Sequence, residues 1–414
     1  MTTITVIGAG IVGLAVSRAL VDRGYRVCMF DPHPPGEGTS QGNAGLIADY
    51  ATSPMASCDT LKLLPRQLWK ADASLSIDPR YLPMLAGFGL RFLRAARQPC
   101  FTRNKASLIA MLDTAIRAQH ALLDDLEGPD LFADNGCLQV VRGRDSWTMR
   151  LERMAAAKRA DGVECQAMTS QEVQALEPEL NASGLQGGLY YPRTRHLKSP
   201  LAVSRALWQQ LEAMGVELVR GRVISMTPDS TGGWQLVTTK GRHDSEHVVL
   251  CAGIANNPLL ETLGIRIPVV SERGYHIRLD TPLALSRPVG WLAHHFYATP
   301  MSQGVRLAGT TEFCAPERAA DERRWQRLKG WGEALFGRSL TLADEWLGVR
   351  HSTPDGLPVV GAVPGCKGLY LAYGHGHLGL TLSAETGRLV AAMIAEESVP
   401  YFAQSLSPTR FLRT

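Results

Sequence analysis

Residues Gly348–Val390 read GVRHSTPDGLPVVGAVPGCKGLYLAYGHGHLGLTLSAETGRLV, and this stretch decides the fold. Asp355–Gly356 has the chemistry of a tight turn, and Gly361 closes the segment behind it. Tyr370–Ala372 reads as a strand, and Leu380 to Glu396 as the last helix of the chain. Between them Gly374, Gly376 and Gly379 let the backbone come close to a bound group, and the start of the helix turns its positive end toward the same place. A clamp of this kind far from the N-terminus is not needed for a diffusible nicotinamide.

The other end of the chain supplies the partner of that clamp. Thr5–Asp31 reads TVIGAGIVGLAVSRALVDRGYRVCMFD, a strand at Ile4–Ile7, a helix at Ile11–Arg23 and a second strand at Arg26–Phe30. Gly8, Gly10 and Gly13 stand in the G-x-G-x-x-G spacing between the first strand and the helix. In that context the first glycine makes the turn, the second admits a pyrophosphate and the third lets helix and strand pack. Ile11 and Val12 open the helix whose free N–H groups face the phosphates. Asp31, with Pro32 behind it, ends the second strand 23 residues after Gly8, near the spacing of about 20 expected for a ribose-binding acid, and disfavours a 2′-phosphate.

Three segments together resemble the D-amino acid/glycine oxidase (DAO) superfamily of FAD-dependent oxidoreductases. The C-terminal one matches the pattern G-x-R-x-x-[ST]-P-D-G-x-P-x-[IV]-G followed by G-H-x-x-x-G. GTSQGNAG, Gly38–Gly45, is similar to the loop that runs under the flavin in that superfamily, which implies cofactor contacts from Ser40, Asn43, Ala44, Gly45 and the adjoining Leu46. VISMTPDSTGGWQLVTTKGRHDSEHVVLCAGIAN, Val223–Asn256, resembles its returning segment, implying Val223 against the adenine and Cys251, Ala252 and Gly253 against the cofactor. The resemblance likewise assigns Gly374, His375, Gly376, His377, Leu378, Gly379, Leu380 and Thr381, with Arg350, to the flavin side. The covalent tether of sarcosine oxidase-type relatives uses a cysteine before the T-P-D motif; this chain reads VRHST there, so the expected FAD is non-covalent.

The fold class implied is α/β, an α+β two-domain arrangement. A Rossmann-like FAD-binding domain of discontinuous segments (1–50, 198–264 and 346–414) carries a substrate domain with a large mixed or antiparallel sheet and helices (51–197 and 265–345). With 414 residues, 45% hydrophobic and 20% charged, the chain has the composition of a soluble globular protein of two domains. A formal net charge of +4 gives no reason to expect nucleic acid. The eight cysteines form no C-x-x-C pair or metal-ligand run, so neither a disulfide framework nor a metal is expected. A secretory signal is not expected either, and no apolar run reaches the roughly 18–20 residues of a membrane span. A cytoplasmic location is expected. Tyr81–Leu93, YLPMLAGFGLRFL, flanked by Lys62, Arg66, Lys70, Arg91, Arg94 and Arg97, suits a peripheral helix on the inner face of the membrane.

Within the superfamily, RGYHI (Arg273–Ile277) and HHFYATPMSQGVRLAGTTEF are similar to strands of D-amino acid dehydrogenases, including those acting on cyclic substrates such as D-proline or D-hydroxyproline. The implied activity is oxidative deamination by hydride transfer from Cα to flavin N5, with electrons passed to a quinone or another non-oxygen acceptor. A glycine, sarcosine or opine oxidase, and a flavin subunit working with companion subunits, stay open as alternatives. Arg350 sits where the resemblance places the carboxylate-binding arginine, and its planar fork suits bidentate binding. Tyr275 is the candidate for a second carboxylate bond. His295 and Tyr297 alternate with Phe296 and are expected to share a strand face bordering the substrate amine. Arg350–His351 stands where many relatives have Arg–Pro, and Leu380 where some have Trp, both on the expected substrate side.

Overall fold

The computed structural model describes residues 2–69, 73–128, 130–143, 147–230 and 232–412. Two sheets organise these residues. In the first, strands lie in the order Val359–Ala362, Leu369–Tyr373, His247–Leu250, Thr3–Ile7, Arg26–Asp31 and Glu217–Arg220. All its pairings are parallel except that of Val359–Ala362 with Leu369–Tyr373. The strands come from three distant parts of the chain, and their apolar runs such as Ile4, Val6, Val27, Met29, Val248 and Leu250 are buried, as a parallel sheet covered on both faces requires. A three-stranded antiparallel sheet, Val223–Pro228, Trp234–Thr238 and Gly241–Ser245, packs Met226, Trp234 and Leu236 against one face.

Two helices cover the other face. Ile11–Val21 and Gly379–Ile394 cross so closely that a Cβ on Gly387 would lie 2.4 Å from the Ala15 carbonyl oxygen. The turn leading into the first helix is tighter still: a Cβ on Gly13 would sit 1.8 Å from the Gly8 carbonyl oxygen. Gly8 itself, at φ +109°, has no room for a side chain against Cys251 and Ala252. The glycine spacing is thus a packing requirement of the strand–turn–helix unit before any ligand enters.

The second sheet carries the order Leu342–Ser352, Val270–Leu279, Gly304–Phe313, Phe296–Met301, Val289–Trp291, Cys137–Arg142, Leu185–Tyr191 and Gln166–Thr169. Leu75–Ile77 pairs beside Gly304–Phe313. The sheet is antiparallel apart from the Val289–Trp291/Cys137–Arg142 and Leu75–Ile77 pairings. One face buries Ile277, Leu279, Leu307, Phe296 and Leu138 against the helix Glu322–Phe336. The opposite face turns toward the first sheet's loops.

The strand Leu342–Ser352 pairs along its length with Val270–Leu279, from Leu342 opposite Leu279 to Ser352 opposite Val270. Residues 346–352 therefore belong to the large sheet, and the domain boundary expected at 346 falls inside a strand. LADEWLGVRHS has neither apolar alternation nor a β-branched run, which hid the strand behind its glycine. Lys70, named above as a flanking cation, lies outside the described residues, as does the side chain of Arg66. Among the described residues no helix is long and apolar enough to cross a membrane.

Gly13→Ala forces the added methyl into the Gly8 carbonyl, and overpacking of this kind costs about 1–3 kcal/mol. Over a chain of 414 residues the melting temperature should drop by about 1–4 °C in a thermal melt; an unchanged transition would contradict the contact.

Candidate functional site

The dinucleotide turn exposes a set of backbone donors. Gly10 begins the helix Ile11–Val21 with no side-chain cap of its own. The Ile11 N–H is taken instead by Ser40 Oγ at 2.9 Å, from the Gly38–Gly45 loop. Ser40 also bounds the space above Gly10, where a Cβ would lie 3.2 Å from its Oγ. Asp31 accepts the Ala9 N–H at 2.8 Å through Oδ2 and the His33 N–H at 2.8 Å through Oδ1, which fixes the acid at the mouth of the turn with Pro32 beside it. Val12 is half-buried in the same first helical turn. Val223 is buried close to Phe30 at the end of the second strand, in one apolar cluster with Met226 and Trp234.

The loop after Ser40 is held from both sides. Asn43 Oδ1 accepts the Gly45 N–H at 2.8 Å, and Gly45 adopts φ +81°, a conformation natural to glycine. A Cβ there would lie 2.8 Å from the Leu197 carbonyl. Arg306, on the large sheet, donates through Nη1 to the carbonyls of Gln41 at 2.9 Å and Asn43 at 2.6 Å. Burial pushes its guanidinium down to about 10, and its Nε has no partner. Sequence reasoning passed over Arg306; an arginine at an inward-facing position of the Val305–Leu307 alternation was the available signal. Leu46 is buried and forms an isolated bridge to His196, and the Ala48 N–H donates to Thr381 Oγ1 at 3.0 Å, so the loop also touches the C-terminal helix.

The C-terminal clamp brings Gly374 (φ +77°) and Gly376 (φ +54°) into the left-handed region around His375. His375 is buried and bonds Thr386 Oγ1 at 2.9 Å through Nε2. The short turn Gly376–Leu378, with His377 at its exposed centre, leads into Gly379, Leu380 and Thr381. That helix starts without a side-chain cap, leaving its N–H groups available. The Asp355–Gly356 turn does not face this clamp with its carboxylate: Asp355 is paired with Arg410 at 2.8 Å.

Arg350 projects from the large sheet into the same space. Its Nη1 donates to Glu272 Oε1 at 3.0 Å and lies 3.4 Å from Thr311 Oγ1 and 3.5 Å from the Thr310 carbonyl. Its other edge, Nε and Nη2, makes no hydrogen bond among the described residues. That edge lies over bare backbone: a Cβ on Gly274 would stand 2.4 Å from Nη2. Glu272 is 3% exposed by side chain, against 25% for Arg350. Burial pushes the Glu272 carboxyl up, but Arg350, the Ser352 hydroxyl and the neighbouring His377 outweigh it and hold it below its ordinary value. A bulge delivers this arrangement. Thr310 takes φ +58° where Gly304–Phe313 shifts register opposite Gly274, so Thr311 joins Glu272 on the cleft face and Glu312 drops to the other. A β-branched residue in that region is strained, and strain of this kind gathers at functional sites.

The structure separates the remaining candidates. Tyr275 is buried on the face away from the cleft. Its hydroxyl donates to Glu312 at 2.6 Å and accepts from Arg273, so it does not reach Arg350's open edge. The reason is strand alternation, because Tyr275 is odd-numbered beside the cleft-facing Glu272, Gly274 and His276. His295 does not share a strand face with Tyr297: the strand starts at Phe296, and His295 sits exposed in the preceding turn at φ +53°. Tyr297 does lie on the cleft side, in register with Ala308, which pairs with His276. Its hydroxyl accepts from Tyr50 at 2.9 Å and Gln139 at 2.5 Å. His351, the departure from Arg–Pro, packs its ring on Gly253 (φ +59°) and accepts the Ile254 N–H at 3.1 Å through Nδ1. It thereby ties the large sheet to the Cys251–Ala252–Gly253 turn, and Cys251 is buried beneath that turn against Gly13.

A six-stranded, mostly parallel sheet with a glycine turn and an acid-ended second strand defines a dinucleotide-binding α/β protein, and the large sheet joined to it offers a half-buried arginine. The chain matches the DAO family, FAD dependent oxidoreductase, over residues 3–393 and belongs to it. It is 30% identical to D-amino acid dehydrogenase 2 of Ralstonia nicotianae, covering 95% of this chain and 97% of that one. To the D-amino-acid oxidase of Bradyrhizobium diazoefficiens it is 27% identical, with 99% of each covered. Among solved structures it resembles glycine oxidase from Geobacillus kaustophilus, with TM-score 0.75 at 22% identity over 100% of both chains. The protein is a FAD-dependent oxidoreductase, and the uncapped helix starts, the glycine cradle a Cβ would fill and the fixed Asp31 suit that cofactor.

Three buried histidines, His276, His375 and His196, and the half-buried His351 are held neutral. Burial pushes His351 down to about 4 and, with Arg306 nearby, His276 to about 3; it pushes His375 to about 3 and His196 to about 4. An unfolded histidine binds its proton near pH 6.5. Between about 4 and 6.5 the unfolded chain therefore carries more protons, and stability is full above that window and falls as pH is lowered through it. In His351→Asn, which keeps an acceptor for Ile254 but cannot titrate, the decline between about pH 6.5 and 4 should be shallower in denaturant unfolding; an identical decline would rule out this role for His351.

Proposed function

We propose that the protein oxidises the Cα–N bond of a D-amino acid, cyclic ones such as D-proline included, and hands the electrons to a quinone or another non-oxygen acceptor. The observation that carries this reading is the open edge of Arg350. A guanidinium whose far edge is satisfied by Glu272 presents two parallel donors from Nε and Nη2, the fork that matches a carboxylate. The D-amino acid dehydrogenase name of the Ralstonia relative supports the D preference. Bound FAD supplies the hydride acceptor. This chain supplies the rest: Arg350 orients the carboxylate, Gly274 leaves the room, and Tyr297 closes the far side with a phenol that burial keeps protonated. With both of its lone-pair directions taken by Tyr50 and Gln139, Tyr297 is left with its own O–H to donate to a substrate. No cysteine lies in Gly348–Pro354, which favours non-covalent FAD, recoverable in the supernatant after acid precipitation.

Anaerobic mixing with a panel of D- and L-amino acids, D-proline, glycine and sarcosine should bleach the blue flavin band fastest with a D-amino acid, and aerobic turnover should release little peroxide. Fast bleaching by glycine or sarcosine with stoichiometric peroxide would favour an oxidase instead. Gly274→Ala and Arg350→Lys should keep FAD and raise KM on the order of tenfold or more; an unchanged KM in both would reject the carboxylate site.

The helix Leu82–Ala95 supports a peripheral membrane contact, which would bring a quinone within reach. Leu82, Met84, Leu90 and Leu93 are exposed on it, with Arg91, Arg94 and Arg97 exposed beside them. Apolar side chains rimmed by cations suit an anionic lipid surface. The purified protein should co-sediment with phosphatidylglycerol vesicles at low salt and be released as salt is raised; no sedimentation at low salt would exclude the contact.

A further inference from the structure

We propose that His377 accepts the proton that the substrate's ammonium group must lose before it can be oxidised, and that occupation of Arg350 by the substrate's carboxylate is what readies it. This rests on the amino acid reading above and extends it to the fate of one proton.

Placement comes first. His377 is exposed to the cleft and makes no hydrogen bond among the described residues. It lines a cavity of about 30 Å³ together with Ser53, Ser352, Thr353 and His375. Ser352 donates to Glu272 Oε2, and a Cβ on Gly376 would lie 3.4 Å from Ser352 Oγ. Ser352 and His375 form an isolated bridge between the large sheet and the clamp. His377, the Ser352 hydroxyl, the Glu272 carboxylate and the Arg350 guanidinium therefore meet at one corner of the cleft, beside the place where Arg350 would hold a carboxylate.

The other titratable groups in that corner are committed. His375 is buried against Thr386. His351 accepts the Ile254 N–H. Glu272 is shared between Arg350 and Ser352. His377 alone among the described histidines and carboxylates there has open nitrogens and access to the cleft.

The charges explain the timing. The cleft walls desolvate His377 although its ring is open to the cleft, and this holds it below its ordinary value against the upward pull of Glu272; the Arg350 charge adds a smaller downward push. Without substrate the imidazole is neutral and able to accept. An arriving carboxylate on Nε and Nη2 offsets the Arg350 charge and leaves the upward pull of Glu272, already the larger of the two, unopposed. The imidazolium then becomes more favourable at the moment the ammonium arrives next to it. In the step itself an ammonium N–H bond breaks, its electron pair stays on the amine nitrogen, and the proton moves to an imidazole nitrogen; nothing is oxidised. A cavity of this size holds one or two waters beside His377.

The test uses the FAD-loaded protein and its His377→Gln and His377→Asn variants, each checked for FAD content by its visible spectrum. Anaerobic stopped-flow reduction by the best D-amino acid is followed from about pH 5.5 to 10. The wild type should reach a plateau near neutral pH. Both variants should reduce on the order of 10²-fold more slowly at pH 7 and recover toward the wild-type rate near pH 10, where the free amine needs no acceptor. Calorimetry of acetate binding near pH 6, in two buffers of different ionisation enthalpy, gives a readout without turnover: the wild type should take up a fraction of a proton and the variants none. Bleaching with an unchanged pH profile and unchanged proton uptake in both variants would overturn the role of His377 while leaving the amino acid reading intact. If no amino acid bleaches the wild type, that reading fails and the proposal with it.

Discussion

The structure turns on how one guanidinium is divided. Arg350 gives Nη1 to Glu272 and keeps Nε and Nη2 free above Gly274. Removing a partner from a buried ion pair typically costs several kcal/mol, because the remaining charge is stranded. Glu272, 3% exposed by side chain, therefore locks Arg350 in place far more firmly than a surface carboxylate would. The cost of burying the carboxylate is offset by Ser352 and Thr311, which satisfy the rest of it. The result is an arginine that stays fixed, with one face preset for a planar anion.

Much of the fold serves to bring that arginine against the cofactor side. The bulge at Thr310 reverses the strand's faces so that Thr311 meets Glu272 and Glu312 meets Tyr275. Gly348 clears space for Trp346, which stacks on His276 and presses against Gly42 in the loop after Ser40. Thr39 donates to the Val349 carbonyl at 2.7 Å, Arg306 holds the carbonyls of Gln41 and Asn43, and His351 reaches the Gly253 turn. The Gly38–Gly45 loop and the Gly253 turn are thus tied to the large sheet around the cleft.

The dinucleotide half was legible because close backbone approach admits only glycine, and glycine spacing survives in a sequence as a pattern. Gly8, Gly13 and Gly376 each mark a place where a side chain would collide or a left-handed turn is required. The large sheet was harder to read. Its strands are part polar on the cleft face, as in Leu342–Ser352, and alternation in Gly304–Phe313 breaks at the Thr310 bulge, so the faces of Thr311 and Glu312 cannot be counted along the chain. Glu272 went unnoticed because an acid in a strand usually points to solvent; only the paired Arg350 on the next strand accounts for its burial. His377 was visible only as part of the glycine clamp, and its relation to Glu272 depends on Ser352 across a non-local bridge.

The most direct test of this account is a crystal structure of the FAD-loaded protein with a non-oxidisable carboxylate bound. The account predicts both carboxylate oxygens within about 3 Å of Arg350 Nε and Nη2, with Glu272 still on Nη1 and the ligand resting over Gly274. A carboxylate seated elsewhere, or one that displaces Glu272 to reach the guanidinium, would contradict it.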